Sequence, residues 1–242
     1  DAEIDRLCRA LHASGTEIIS TGGTRPYIEN LGIPVTPVES LTGYPEILGG
    51  RVKTLHPAIF GGILGRRDLE SDRQEMETHG IRNIDLVVVD LYPFAETLAN
   101  SKDQAAITEK IDIGGVSLIR AAAKNHAHTA ILSRKEDLEA FTVAFETQGG
   151  TTPEQRKQLA ATALQVTSAY DAMIAAWLSG DTPVSDDRYP LRYGENPHQA
   201  AVLLGYRHND TPLGGQVLQG KELSYNNLLD LDASWRAVVS FK

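Results

Sequence analysis

The sequence predicts a three-layer α/β/α fold, in which helices cover both faces of a doubly wound, mostly parallel sheet. Short apolar runs alternate with amphipathic helical segments between residues 4 and 147, which is the pattern of βα units. Asp85 to Tyr92 (DLVVVDLY) is an almost unbroken apolar run. Such a run is typical of a central parallel strand that is buried on both faces. An apolar fraction of 41% in 242 residues allows a sizeable core.

The first elements alternate between helix and strand. Apolar residues at helical spacing predict a first helix, and they are Ile4, Leu7, Cys8 and Leu11. Residues 16–20 (TEIIS) predict a strand, and the STGGT segment then turns into a second helix. We expect Thr24 to cap that helix, with Pro26 in its first turn. Residues 34–38 predict the next strand.

The remaining elements follow the same logic. Residues 41–65 are rich in Gly and Pro and predict a functional loop with short helical pieces. Polar composition predicts a helix over 68–79. Further along, the pattern predicts a helix over 115–126, a strand over 129–133 and a helix over 136–147.

Three regions describe the expected domain organisation. The Thr-Pro-Glu at 152–154 starts a long helix that closes a first domain over residues 1–182. The polar, Pro-containing stretch 183–190 is the expected linker. Residues 191–242 are too short for a domain and are expected to be the truncated start of a second one, with a helix over 228–241. Since the chain begins at Asp1, we expect a piece of a longer protein.

Bulk properties exclude several classes of function. A net charge of −9 argues against nucleic acid as a partner. No run approaches the roughly 18 apolar residues that span a bilayer, so no membrane role is expected. The single cysteine, Cys8, permits no intrachain disulfide and fits a reducing compartment. No metal-ligand cluster or dinucleotide motif is present in the sequence.

Two segments are candidate ligand sites, one because of its glycines and the other because of its cations. In STGGT, glycines allow backbone N–H groups to approach a phosphate, and hydroxyls can add donors. The segment consists of Ser20, Thr21, Gly22, Gly23 and Thr24. A plain turn between strand and helix explains the same residues equally well. In RVKTLHP, Arg51 and Lys53 are either solvated cations or anion ligands, and His56 is expected to make a local hydrogen bond.

The segment IDIGGVSLIRAAAKNH carries further polar groups at the start of a predicted helix. Asp112 is either a helix cap or a reactive carboxylate, and the backbone N–H groups of Ile113 and Gly114 could stabilise an oxyanion. Arg120 and Lys124 share a helix face, which is either a solvated basic surface or part of a site. The Asn-His pair after them is expected to end the helix.

Tyr92 follows the apolar strand, at the edge where doubly wound sheets bind ligands. It is either a ligand contact or a packing residue whose hydroxyl is hydrated.

Six segments together resemble, in order and spacing, the bifunctional purine-biosynthesis enzymes that combine 5-aminoimidazole-4-carboxamide ribotide formyltransferase with IMP cyclohydrolase. They are STGGT, GYPEILGGRVKTLHP, DLVVVDLYPF, IDIGG, AAAKNH and RYGENPHQ. The resemblance implies a methylglyoxal synthase-like fold for the first domain. It implies dehydrative closure of 5-formamidoimidazole-4-carboxamide ribotide to IMP, without a cofactor. It also implies a cytoplasmic enzyme that is a homodimer when full length, with 10-formyltetrahydrofolate as co-substrate of the complete parent only.

The resemblance also implies roles for individual residues. Lys124 and Asp112 would protonate and deprotonate the reacting groups, while Lys53 and Tyr92 would polarise or orient them. The implied substrate-binding residues are Ser20, Thr21, Gly22, Gly23, Thr24, Arg51, Thr54, Ile113 and Gly114. Arg192 and Tyr193 would be remnants of the formyltransferase substrate site. Asp90 departs from the usual asparagine, and a carboxylate cannot donate as an amide does.

A second departure from the family pattern and two rival functions remain. Asp1-Ala2-Glu3 stands where the family has a Lys-Thr-Gly turn, so the first strand and its serines are expected to be missing. The same fold also serves as a non-catalytic phosphate-ligand regulatory domain, which would leave Lys53, Tyr92 and Lys124 without a role. Methylglyoxal synthase shares the fold, but its aspartate-bearing motifs find no match here.

Overall fold

The computed structural model describes residues 2–180, 188–204, 207–208, 211–212 and 218–240. The chain divides into two compact units, Asp1–Ser168 and Ala169–Lys242. The predicted domain boundaries stay predictions. Residues 183–187 of the predicted linker lie outside the described residues, and residues 188–190 lie in a strand of the second unit.

The first unit alternates helices and short strands, as the sequence predicts. Its elements in chain order are α1 (Ala2–Ala13), β1 (Ile19–Ser20), α2 (Thr24–Glu29), β2 (Thr36–Pro37), α3 (Val38–Thr42), a single 3₁₀ turn (Leu48–Gly50), α4 (Pro57–Leu64), α5 (Glu70–Thr78), β3 (Leu86–Val88), α6 (Phe94–Asn100), α7 (Gln104–Glu109), α8 (Gly114–Lys124), β4 (Ala130–Leu132) and α9 (Glu136–Gln148). Helix α10 (Pro153–Ser179) follows, where the Thr-Pro-Glu signal predicts it.

Both strand pairs of the first unit are parallel. β1 pairs with β2 in the register Ile19 to Thr36, and β3 pairs with β4 in the register Val87 to Ile131. Parallel neighbours require a long crossover, and helices supply it in both cases. The predicted α/β class with parallel pairing is therefore confirmed.

Alternation along β3 and β4 sets the three layers of the core. Val87 and Ile131 pack in a cluster with residues of α4 and α8. Leu86 and Leu132 point the other way and pack in a cluster with residues of α1 and α9. Because strand side chains alternate between faces, each side of the pair receives its own helical layer. The buried Cys8 of α1 belongs to a third cluster, with Ile28 and Ile33, and burial raises the pKa of its thiol.

Two local expectations are wrong. The apolar run over 85–92 forms only the three-residue β3, and Val88 in it is 48% exposed rather than buried. Within the described residues β3 is hydrogen-bonded to β4 alone, so one of its edges lacks a neighbouring strand there. Thr24 is also not the cap of α2: Gly23 occupies that position, and no side chain caps it, because the helix already includes Thr24.

The second unit contains antiparallel strands and a helix. Its strands are β5 (Arg188–Leu191), β6 (Ala201–Leu204), β7 (Arg207–His208) and β8 (Thr211–Pro212), paired β5 with β6 and β7 with β8. Helix α11 (Tyr225–Ser240) confirms the helix predicted near the end of the chain and begins three residues earlier. None of the helices in the described part of the chain is long and apolar enough to cross a membrane.

Candidate functional site

The loop before Lys53 closes on itself. Ile47 and Val52 form an isolated antiparallel bridge, with Ile47 N–H donating to the Val52 carbonyl at 3.2 Å. Between them the chain turns through left-handed backbone at Leu48, Gly49 and Gly50, with φ of 55°, 65° and 87°. Left-handed backbone is unfavourable for leucine, and such strain clusters at functional loops. The loop therefore has a defined shape that directs the residue following it.

Lys53 folds back over this loop and reaches the STGGT turn. A Cβ built on Gly50 would lie 2.7 Å from Lys53 Cε and 2.9 Å from Lys53 Nζ, so a side chain at residue 50 would force the lysine to move. A Cβ on Gly22 would lie 3.5 Å from the same Nζ. Glu46 completes the surroundings, with its Oε2 3.0 Å from Lys53 Nζ. The Lys53 ammonium thus lies beside the Gly-Gly turn.

The next residue, Thr54, lies against the start of α8. Its Oγ1 would be 3.1 Å from a Cβ built on Gly114. Asp112 Oδ1 accepts a hydrogen bond from the Gly115 N–H at 2.7 Å, so this carboxylate caps the first turn of α8. A Cβ on Gly115 would lie 2.6 Å from Asp112 Oδ2, and this close approach explains why residue 115 is a glycine. The carboxylate is therefore held in place by the backbone that it caps.

These contacts bring three separate sequence motifs together. Lys53 touches the STGGT turn, and its neighbour Thr54 touches the IDIGG turn. Lys53 and Thr54 are consecutive, so one loop contacts both turns through neighbouring residues. The loop thus brings an ammonium towards the STGGT turn and a hydroxyl towards the turn that carries the Asp112 carboxylate. That combination can bind an anion and exchange protons with it.

The STGGT segment itself is an open turn. Gly22 has φ of 50°, and Gly22, Gly23 and Thr24 are exposed, while Ser20 and Thr21 are half-buried. Ser20 Oγ lies 3.5 Å from the Thr21 carbonyl, at the limit of a hydrogen bond. No heavy atom outside its chain neighbours lies within 4 Å of a Cβ built on Gly23. The turn therefore leaves space for a ligand beside the Lys53 ammonium.

Helix α7 contacts two further predicted site residues. Glu109 Oε2 lies 3.1 Å from Arg51 Nη2, with both side chains exposed. Lys110 Nζ lies 5.5 Å from the ring centre of Tyr92, within the range of a cation–π contact. Tyr92 is 53% exposed and so remains open to a ligand.

Sequence reasoning missed Glu46, Glu109 and Lys110. Only Glu46 lay in a segment already singled out, GYPEILGG.

Lys124 lies at the opposite end of α8 from Asp112. The helix runs from Gly114 to Lys124, and a rise of 1.5 Å per residue separates its ends by about 15 Å. Lys124 is exposed. The structure therefore does not bring Lys124 directly against Asp112. Ile113, between Asp112 and the helix, is also exposed.

Neighbouring polar residues have structural partners. Buried Asn125 donates from Nδ2 to the carbonyls of Ile63 and Gly65 at 2.7 and 3.1 Å and ends α8, as predicted. His56 Nδ1 accepts from the Ala58 N–H, which confirms its local hydrogen bond at the start of α4. Asp90 is exposed. Within the described ranges, no group of three His, Cys, Asp or Glu side chains is arranged to hold a metal ion.

The predicted formyltransferase remnant lies in the second unit. Arg192 Nη2 donates to Tyr193 Oη at 3.2 Å, and its guanidinium lies 4.8 Å from the Tyr193 ring centre. A hydrogen bond with Ser224, and then the Arg192 guanidinium, lower the pKa of the Tyr193 hydroxyl. The Arg192 N–H also donates to the Leu223 carbonyl at 2.7 Å, which ties this segment to the start of α11.

Comparisons with known proteins show which family the chain resembles. The family profile described as AICARFT/IMPCHase bienzyme matches residues 122–242, and the MGS-like domain profile matches residues 3–117. The bifunctional purine biosynthesis protein PurH of Bartonella bacilliformis is 48% identical over 97% of this chain and 46% of its own length. The Synechocystis protein of the same name is 48% identical over 93% of this chain and 46% of its own length.

A solved structure extends the comparison. The crystal structure of ForH superposes with a TM-score of 0.65 at 36% identity, covering 75% of this chain and 93% of that one. The chain spans about half the length of the curated relatives it matches. One family profile covers the half of the chain that includes α11, and the MGS-like profile covers the lysine loop and the start of α8. The chain therefore belongs to the AICARFT/IMPCHase bienzyme family.

Proposed function

We propose that the first unit closes the ring of 5-formamidoimidazole-4-carboxamide ribotide to give IMP. One observation carries the proposal: Lys53 lies beside the STGGT turn while Thr54 lies against the IDIGG turn, so that one loop contacts both segments to which the proposal assigns phosphate binding and proton exchange. Membership of the family and the MGS-like profile support it.

The proposed reaction depends mainly on the positioning of two groups of one substrate molecule. The carboxamide nitrogen attacks the formyl carbon of the same molecule, a C–N bond forms, and the formyl oxygen leaves as water. The amide nitrogen is a poor nucleophile, so holding the two groups together supplies much of the acceleration. A base must take a proton from nitrogen and an acid must give one to the departing oxygen.

The cluster offers a group for each task. The STGGT residues Ser20, Thr21, Gly22, Gly23 and Thr24 would bind the phosphate, with Arg51 and Thr54 as further contacts. The backbone N–H groups of Ile113 and Gly114 would stabilise the developing oxyanion. Asp112, whose carboxylate is fixed by the Gly115 N–H, would exchange a proton with the reacting groups.

Lysines and tyrosine complete the proposed mechanism. Lys53 would polarise the reacting groups from its place beside Gly22, and Tyr92 would orient them through its hydroxyl. Lys124 is proposed as the second proton-exchanging group. Because α8 separates it from Asp112 by about 15 Å, the two would act on different atoms of the substrate rather than pass a proton directly.

The complete protein extends these proposals. We propose that it also formylates 5-aminoimidazole-4-carboxamide ribotide with 10-formyltetrahydrofolate, and that Arg192 and Tyr193 contribute to that second substrate site. The family resemblance further supports a cytoplasmic homodimer. It gives no role to a metal or cofactor in the cyclisation step.

The test is direct. Protein expressed from its complete reading frame is incubated with the formamido ribotide, and IMP is measured by chromatography and mass spectrometry. IMP formation at a rate far above the uncatalysed one supports the proposal. Binding of the ribotide without any turnover would instead favour a regulatory domain of the same fold, and methylglyoxal from dihydroxyacetone phosphate would favour the other enzyme of this shape.

A further inference from the structure

The Lys53 side chain is held from three sides, and one of them is a carboxylate. Gly50 lies beneath its Cε and Nζ, Gly22 lies beside its Nζ, and Glu46 Oε2 lies 3.0 Å from that nitrogen. Lys53 is 25% exposed and Glu46 is 50% exposed. A flexible four-carbon stem has many rotamers, so an unaided lysine would not stay at one point. Its place here depends on these neighbours.

Glu46 is connected to Lys53 through the closed loop. It precedes Ile47, which forms the bridge to Val52, and Lys53 follows Val52 directly. The bridge therefore places residues 46 and 53 side by side at the open end of the loop. The strained backbone between them, with left-handed φ at Leu48, Gly49 and Gly50, keeps the loop short enough for that pairing.

We propose that Glu46 is a positioning residue for Lys53, which holds the ammonium beside the Gly-Gly turn so that it meets the substrate in one orientation. This inference rests on the proposed cyclisation. Glu46 itself does not touch the reacting atoms in this proposal. Its effect appears in turnover because a displacement on the order of 1 Å at a reacting group costs about a hundredfold in rate.

The experiment compares three variants of the protein expressed from its complete reading frame. Glu46→Gln keeps the side-chain shape but removes the charge, and Glu46→Asp keeps the charge on a shorter stem. Glu139→Gln is the matched control: Glu139 is also an exposed glutamate in an ion pair, with Arg6, which keeps its second partner Glu146. Thermal unfolding shows first that all three variants fold.

Two readouts separate positioning from a merely structural role. For Glu46→Gln we expect kcat for IMP formation to fall about tenfold or more, with a smaller change in KM, and Glu46→Asp to recover part of the loss. Labelling with limiting acetic anhydride, followed by mass spectrometry, should show Lys53 reacting about two- to fivefold faster in Glu46→Gln, as loss of an exposed ion pair would allow. Glu139→Gln should change neither readout.

The outcomes distinguish this inference from the function on which it rests. Wild-type turnover with normal kcat in Glu46→Gln would overturn the positioning role and leave the cyclisation intact. Unchanged acetylation of Lys53 would overturn it as well, because the pair would then not exist in solution. A wild-type protein that forms no IMP would overturn the proposed function, and the positioning role with it.

Discussion

Replacing Gly50 by alanine tests how closely Lys53 depends on the loop beneath it. The new Cβ would lie 2.7 Å from Lys53 Cε, which must retreat by about 0.7 Å to reach the 3.4 Å at which ordinary contact begins. Since a shift on the order of 1 Å at a reacting group costs about a hundredfold, we expect kcat to fall roughly 10- to 100-fold. The φ of 87° adds a backbone penalty of about 1–2 kcal/mol to the loss of stability.

Gly49→Ala is the control for backbone strain. Gly49 has φ of 65°, but nothing lies within 4 Å of its Cβ position. Because left-handed backbone costs a residue with a side chain about 1–2 kcal/mol, Gly49→Ala should lose a comparable amount of stability. Its kcat should stay at the wild-type value. Urea unfolding gives the stabilities, and IMP formation under conditions where both variants are folded gives kcat. Equal kcat in the two variants would refute the idea that the missing side chain of Gly50 leaves the space that Lys53 occupies.

Three other changes have defined outcomes. Asn125→Ala should destabilise the protein by about 1–3 kcal/mol in urea unfolding, because it removes two buried hydrogen bonds, to the Ile63 and Gly65 carbonyls, although Ile63 keeps the Thr129 hydroxyl as a donor; a loss under about 0.5 kcal/mol would contradict this. Hydrogen bonds from Arg66 lower the pKa of Asp72 to about 2. Its stabilising contribution is therefore present above the unfolded pKa and is lost as pH falls towards 2, and Arg66→Ala should return the pKa, followed by NMR, towards its usual value. Lys124→Ala should slow IMP formation at least about a hundredfold while leaving acetylation of Lys53 unchanged, and normal turnover would remove Lys124 from the mechanism.

Long periodic segments explain why much of the fold could be predicted. Helices α1, α9 and α10 have strong start signals or apolar stripes, and their bounds fall within a few residues of the prediction. Helices α6 and α7 were missed because they are only seven and six residues long and present no clear stripe. The strand over 85–92 was predicted too long. Apolar composition reports burial, whereas strand length depends on a hydrogen-bonded neighbour, which β3 has on one side only in the described part of the chain.

The candidate site residues were proposed one by one, but not their arrangement. Lys53, Thr54 and Asp112 belong to motifs that were singled out through the family resemblance. The position of Lys53 over its loop depends on left-handed backbone at Leu48, which no local rule for leucine anticipates. Glu46 was missed for the same reason, since its pairing with Lys53 exists only once the loop closes. The separation of Lys124 from Asp112 follows from helix geometry and could have been anticipated from the eleven residues between them.

The central claim is that Lys53, beside the STGGT turn, takes part in closing the purine ring. IMP formation from the formamido ribotide should be measured for the wild type and for Lys53→Ala, in the same buffer and without folate. The account predicts rapid IMP formation by the wild type and a rate at least about a hundredfold lower in the variant, with unchanged thermal unfolding. Wild-type turnover by Lys53→Ala would contradict it.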